Sequence, residues 1–217
     1  MVEIDTELVR RYESPARTEK LVQVSLVKAT LFGATLGLTW GAGLRGLMAV
    51  FAGADSSFSW SGTFVAILLP ATLVGAALGW AEYARRTGGR GGWRWTTLVP
   101  LLFLVIPALA LDDFVTALLT TGIGGGAVAI PLIGMLGGYA IAGRGPRWGR
   151  WLARTVMAAL VAFVVVGAFA APFGPRLAPT APTGAYMLLT FILFCGLLAG
   201  ACAIPHVPAL HEHAPDT

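Results

Sequence analysis

Thr96 to Gly143 reads T-T-L-V-P-L-L-F-L-V-I-P-A-L-A-L-D-D-F-V-T-A-L-L-T-T-G-I-G-G-G-A-V-A-I-P-L-I-G-M-L-G-G-Y-A-I-A-G, 48 residues whose only charges are Asp112 and Asp113. One bilayer-spanning helix needs about 20 apolar residues. This run is too long for one and must fold back on itself. One alternative turns at Asp112-Asp113 and leaves a short span followed by a very long one. The other continues through the aspartates to about Leu119 and reverses in T-T-G-I-G-G-G, Thr120 to Gly126. Glycine makes tight reversals at little steric cost, and this choice leaves spans of about 24 and 17 residues, within the usual range. It is the preferred reading, and it puts both carboxylates in, or at the edge of, the outer half of the membrane.

Further apolar runs flank this stretch. They cover Ala29 to Gly53 and Gly62 to Trp80 before it, then Trp151 to Ala171 and Tyr186 to Ile204 after it. The fold class expected is therefore all-α, an integral membrane bundle of six transmembrane helices over residues 29–204. A cytoplasmic N-terminal arm (1–28) and a cytoplasmic C-terminal tail (205–217) complete the domain plan. Composition agrees. Hydrophobic residues make up 56% of the 217 and charged ones 12%, about half the charge of an ordinary soluble domain, and mean hydropathy is +0.75. Lipid must solvate much of such a chain.

A net charge of +4 and a pI near 9.5 could indicate nucleic acid, but the arginines are placed otherwise. Thirteen of the fifteen Lys and Arg lie in or beside the N-terminal arm, the loop with Arg85, Arg86, Arg90 and Arg94, and the loop with Arg144, Arg147, Arg150 and Arg154. Six spans put all three segments on one side, which the positive-inside rule makes cytoplasmic. Trp80, Trp93, Trp95, Trp148 and Trp151 mark the same interface, and Trp60 the opposite one. The basic charge is topogenic, no nucleic-acid partner is expected, and the location implied is the cell (inner) membrane with both termini cytoplasmic. The arm mixes five acids with five bases, unlike the basic start of a secretory signal; it reads as a solvated or surface helix around Thr6 to Glu13.

Arg45 is the most informative single residue. It falls deep in the first span, where an unpaired guanidinium is costly. Gly33, Gly37, Gly41 and Arg45 recur every four positions, so the arginine continues a small-residue ridge of the kind that lets helices approach closely. It should face protein. Asp112 reaches a similar depth on a span entering from the same side, with Asp113 on an adjoining face. Arg45, Asp112 and Asp113 are the candidate intramembrane charge cluster, read either as a binding site or as a structural clamp, since desolvation offsets most of a buried pair's attraction.

Other features are weaker. Gly75/Gly79, Gly134/Gly138 and Gly196/Gly200 read as packing ridges, and imply a homo-oligomer or membrane-protein partner as well as internal contacts. Glu82, with Tyr83 and Arg85, reads as interfacial. Pro70, Pro100, Pro107 and Pro131 lie inside spans and mark either broken helices or kinks tolerated by packing. Cys195 and Cys202 share a helix face about 10 Å apart along the axis, too far for a disulfide. His206, His211, His213 and Glu212 could bind a metal, but a proline-containing tail favours disorder. No histidine lies in a span, which excludes a bis-histidine haem, and no cofactor is expected. The phosphate-loop, G-x-S-x-G and H-E-x-x-H patterns are all missing.

W-G-A-G-L-R-G-L-M from Trp40 to Met48, followed by F-S-W-S-G-T from Phe58 to Thr63, resembles a family of bacterial polytopic membrane proteins without an assigned function. Family members often carry Trp before the Met and a basic residue after it, where this chain has Leu47 and Ala49. The resemblance implies a polytopic membrane protein and no activity. Three functional readings follow from the residues: a small transporter, channel-like or solute-binding membrane component; a scaffold or accessory subunit; and a membrane-embedded enzyme acting on a lipid.

Overall fold

In the computed structural model, described for residues 25–56, 58–110, 116, 123–143, 146–170 and 177–209, the chain is helical and has no strand among those residues. Among the described residues six long helical bodies follow one another: α1 (Leu26–Ala52), α2 (Ser61–Arg86), α3 (Trp93–Ala110), α4 (Ile123–Ala142), α5 (Arg147–Ala170) and α6 (Pro182–Cys202). Four of them, α2, α3, α5 and α6 continued to His206, are long and apolar enough to cross a membrane. α1 has the length, at 27 residues, but Lys28, Arg45 and its glycines dilute its hydropathy. In α4 the apolar part, Val128–Ala142, is shorter.

α1 and α2 run antiparallel and share the largest contact in the molecule. Glycines make it. Gly33 meets the backbone of Gly75 and Gly79, Gly37 meets Ala71 and Gly75, and Gly41 meets the Ala71 methyl. A Cβ built at Gly75 would lie 2.8 Å from the Gly37 Cα, so the two backbones touch with no side chain between them. Such contact gains dispersion energy at almost no side-chain entropy cost. The ridge read from the four-residue spacing is thus matched by a second ridge on α2. A smaller version joins α4 to α6, where Gly134, Gly137 and Gly138 receive Leu198, Ala199 and Cys202.

Prolines coincide with changes of helix type. Residues Ser61–Leu68 form wide π turns and α geometry resumes at Leu69, beside Pro70. Tight 3-10 turns cover Trp93–Leu101 and give way just after Pro100. A proline lacks the N–H that would continue the ladder, so local re-winding re-satisfies the carbonyls. Pro70, Pro100, Pro107 and Pro131 are all fully buried, which places the disturbed backbone against protein and not lipid.

Two sequence readings are corrected. Ile123 to Gly126, assigned to the reversal in the long apolar run, already belong to α4; the rest of that turn lies outside the described residues. Trp93 is not part of an interfacial belt but is buried against Ala81 and Ala84. Gly92, at φ 82°, takes a left-handed conformation open to glycine, and the chain re-enters the bundle there. Trp60, Trp95, Trp148 and Trp151 are exposed, as interfacial tryptophans would be.

Candidate functional site

A cavity of about 800 Å³ forms a groove among α1, α2, α3 and α6. Its floor is the glycine seam of α1 and α2, where the two backbones meet directly. Gly33, Gly37, Gly75 and Gly79 line it. The walls are Phe32 and Leu36 on α1 and Leu197 on α6, all well exposed. The groove therefore opens sideways along the seam between α1 and α6, whose mutual contact is slight.

An aromatic group closes its deep end. Trp40 packs edge-on against Phe103 at 5.7 Å between ring centroids and lies 5.8 Å from Phe194. The indole Nε1–H donates to the Phe194 carbonyl oxygen at 3.1 Å, which satisfies a buried polar atom and ties α1 to α6. From Lys28 to Trp40 α1 rises about 18 Å at 1.5 Å per residue. That is close to one leaflet of hydrocarbon, about 15 Å as half of a 30 Å core.

The open end is polar. Lys28, Glu82, Tyr83 and Arg86 line it. Glu82 accepts from Arg85 through Nε at 2.7 Å and Nη2 at 2.8 Å, and from Arg86 Nε at 2.6 Å. The first is a two-point carboxylate fork with Arg85 largely enclosed, its side chain 16% exposed. Arg90 stands over the Tyr83 ring at 5.6 Å, a cation–π placement. Arg154, read only as topogenic, also donates from Nε to the Ala140 carbonyl near the end of α4 at 3.0 Å, where a cation suits the helix dipole.

Of the candidate charge cluster, Arg45 is half-buried and continues the ridge past Gly41. It does not line the groove, which lies on the Lys28 side of Trp40. Asp112 and Asp113 lie outside the described residues. Glu82, read as interfacial, is held by two arginines at the groove mouth. Gly196 and Gly200 meet nothing within 4 Å, so that ridge packs against no described part of this chain. Cys195 and Cys202 are both free. His206 is not in a free tail: it packs edge-on against Tyr139 at 5.6 Å, and Ala209 is buried against Gly89. His211, Glu212 and His213 lie outside the described residues, and the described residues hold no metal-type cluster.

Sequence reasoning missed the groove. Its one local signal is Trp40, a tryptophan far inside a span, where an interfacial anchor has no use. Among the described residues these features define an all-helical fold with four helices long and apolar enough to cross a membrane and a groove open along one side. Comparison with protein-family models, with curated proteins and with solved structures finds no match to the chain.

Proposed function

We propose that the chain is a six-span protein of the cell (inner) membrane, both termini cytoplasmic, acting as a solute-binding membrane component for an apolar or amphiphilic molecule. The groove carries this reading. Its size falls within the range of ligand sites, about 300–1,000 Å³, it is apolar along its length, and it is closed at depth by Trp40, Phe103 and Phe194. A groove one leaflet deep with a lateral opening suits a ligand that arrives through lipid better than an ion crossing from side to side.

The topology half is tested by cysteine labelling from outside the cell. Cysteines introduced near Asp55 and Arg176 should react, and those near Arg90 and Arg147 should not; reaction near Arg90 would overturn six spans. The binding half is tested by mass spectrometry of the protein released from detergent. Wild type should retain an apolar ligand mass, and Leu36→Trp with Leu197→Trp, which fill the groove, should not. Equal retention would overturn it.

Arg45, Asp112 and Asp113 remain a proposed second polar cluster in the outer half. If Arg45 and Asp112 pair, Arg45→Leu with Asp112→Leu should be milder than the sum of the singles in a double-mutant cycle. A second reading, accessory subunit or homo-oligomer, is favoured by the vacant Gly196/Gly200 face of α6, to be tested by crosslinking cysteines placed at these two positions.

A further inference from the structure

The groove's two ends differ in chemistry, and together they narrow the ligand. Along about 18 Å the lining is apolar, with an open side bounded by Phe32, Leu36 and Leu197. At the mouth, Glu82 pairs with Arg85 and Arg86, Lys28 lines the same groove, and Arg90 stands over the neighbouring Tyr83 ring. Arg85 spends its fork on Glu82. Arg86 meets the same carboxylate through Nε, one of a guanidinium's five donors, and 42% of its side chain is exposed. Lys28 is exposed on the facing helix. Among the described residues the surplus at the mouth is positive.

We propose that the occupant is a phospholipid of the cytoplasmic leaflet with a net negative headgroup. One acyl chain lies in the groove against the glycine floor, its end under Trp40, and the headgroup phosphate sits between Lys28 and Arg86. The inference rests on the groove being the ligand site and adds the class of ligand. Three matches support it. The groove is as deep as one leaflet, so a chain and its headgroup fall at their ordinary heights. Its opening is lateral, so the lipid enters without leaving the bilayer. The charge at headgroup level is opposite to that of an anionic lipid, and each basic residue near a membrane surface favours such lipids by about fivefold.

Nanodiscs holding the full chain in phosphatidylcholine supply the test. A trace of phosphatidylglycerol or phosphatidylcholine with a photoreactive group near the acyl-chain end is added, and crosslinked residues are mapped by peptide mass spectrometry. Phosphatidylglycerol should label Trp40, Phe103 or Phe194 at least about fivefold more than phosphatidylcholine does. Lys28→Glu with Arg86→Gln should abolish that preference while leaving chain labelling of the groove in place. Circular dichroism and the unchanged labelling of α5 report that the variant is folded. Equal labelling of the aromatic group by the two lipids overturns the anionic preference and leaves the binding groove standing. Labelling confined to exposed faces such as α5, with none at Trp40, Phe103 or Phe194, overturns both. A preference that survives the double variant overturns the assignment to Lys28 and Arg86.

Discussion

α1 with α2, and α5 with α6, are both neighbours in chain order, and both pairs include glycine-bearing faces. Their packing differs completely. In the first pair Gly33, Gly37 and Gly41 meet Ala71, Gly75 and Gly79 backbone to backbone. In the second the contact is slight, and Gly167, Gly196 and Gly200 meet nothing within 4 Å. α5 is held chiefly at its basic end, where Ala153 is buried and Arg154 reaches Ala140, while Phe163, Val166 and Phe169 face outward. A small-residue ridge makes a helix contact only when a complementary ridge stands opposite it. Spacing on one helix records the opportunity; the partner determines the outcome.

The largest expected effect comes from filling the tight seam. Gly75→Leu should force α1 and α2 apart and destabilise the protein by about 3 kcal/mol or more, beyond ordinary core overpacking because the obstacle is backbone. Thermal unfolding in detergent would measure it. Gly196→Leu should change the same melting temperature very little, within about 0.5 kcal/mol. Equal losses would break the comparison between the pairs.

Glu82→Gln comes next. It leaves Arg85, mostly enclosed, without its carboxylate, and about 1–3 kcal/mol should be lost. Glu82→Asp should not restore the two-point fork, because the shorter side chain cannot reach with both oxygens. Denaturant unfolding that found the glutamine variant as stable as wild type would make the fork a surface pair of little weight.

A smaller effect is expected at the groove's end. Trp40→Phe keeps an aromatic ring between α1 and α6 but removes the Nε1 donor, at a cost of about 0.5–1.5 kcal/mol. Phe194 keeps its backbone carbonyl in any variant, so Phe194→Leu should cost ring packing alone. Intrinsic fluorescence of a variant retaining only Trp40 would sharpen this: Phe194→Leu keeps the carbonyl that accepts from the indole, so the emission should change little, and a large shift would show that the ring also holds the bond in place.

Much of the fold was legible in the sequence. The apolar runs at Ala29 to Gly53, Gly62 to Trp80, Trp151 to Ala171 and Tyr186 to Ile204 each fall on an observed helix, at Leu26–Ala52, Ser61–Arg86, Arg147–Ala170 and Pro182–Cys202, because hydropathy is a local property. The ridge at Gly33, Gly37 and Gly41 was legible for the same reason: a spacing of four is local on a helix. What its neighbour was, and that Gly196 and Gly200 would lack one, depends on tertiary arrangement. Trp93 was misread because an interfacial tryptophan and a core tryptophan next to a glycine turn look alike in sequence. Nothing local indicated the groove, since Trp40, Phe103 and Phe194 come from three helices far apart in the chain. Attention to charge drew the sequence reading to Arg45, Asp112 and Asp113, whereas the cavity is built from a glycine floor and apolar walls on four helices, which come together only once the helices are paired.

Order of synthesis gives the Trp40 bond a further meaning. The α1–α2 hairpin needs nothing that is translated after Arg86 to close its glycine seam, so it can assemble as soon as both helices have formed. Its groove is then only a trough, with the Trp40 indole unpartnered by α6. Phe103 arrives with α3, and the Phe194 carbonyl arrives with α6. A chain stopped before α6 would own the scaffold of the site and lack its end wall, so the groove is completed only once α6 has joined α1, α2 and α3.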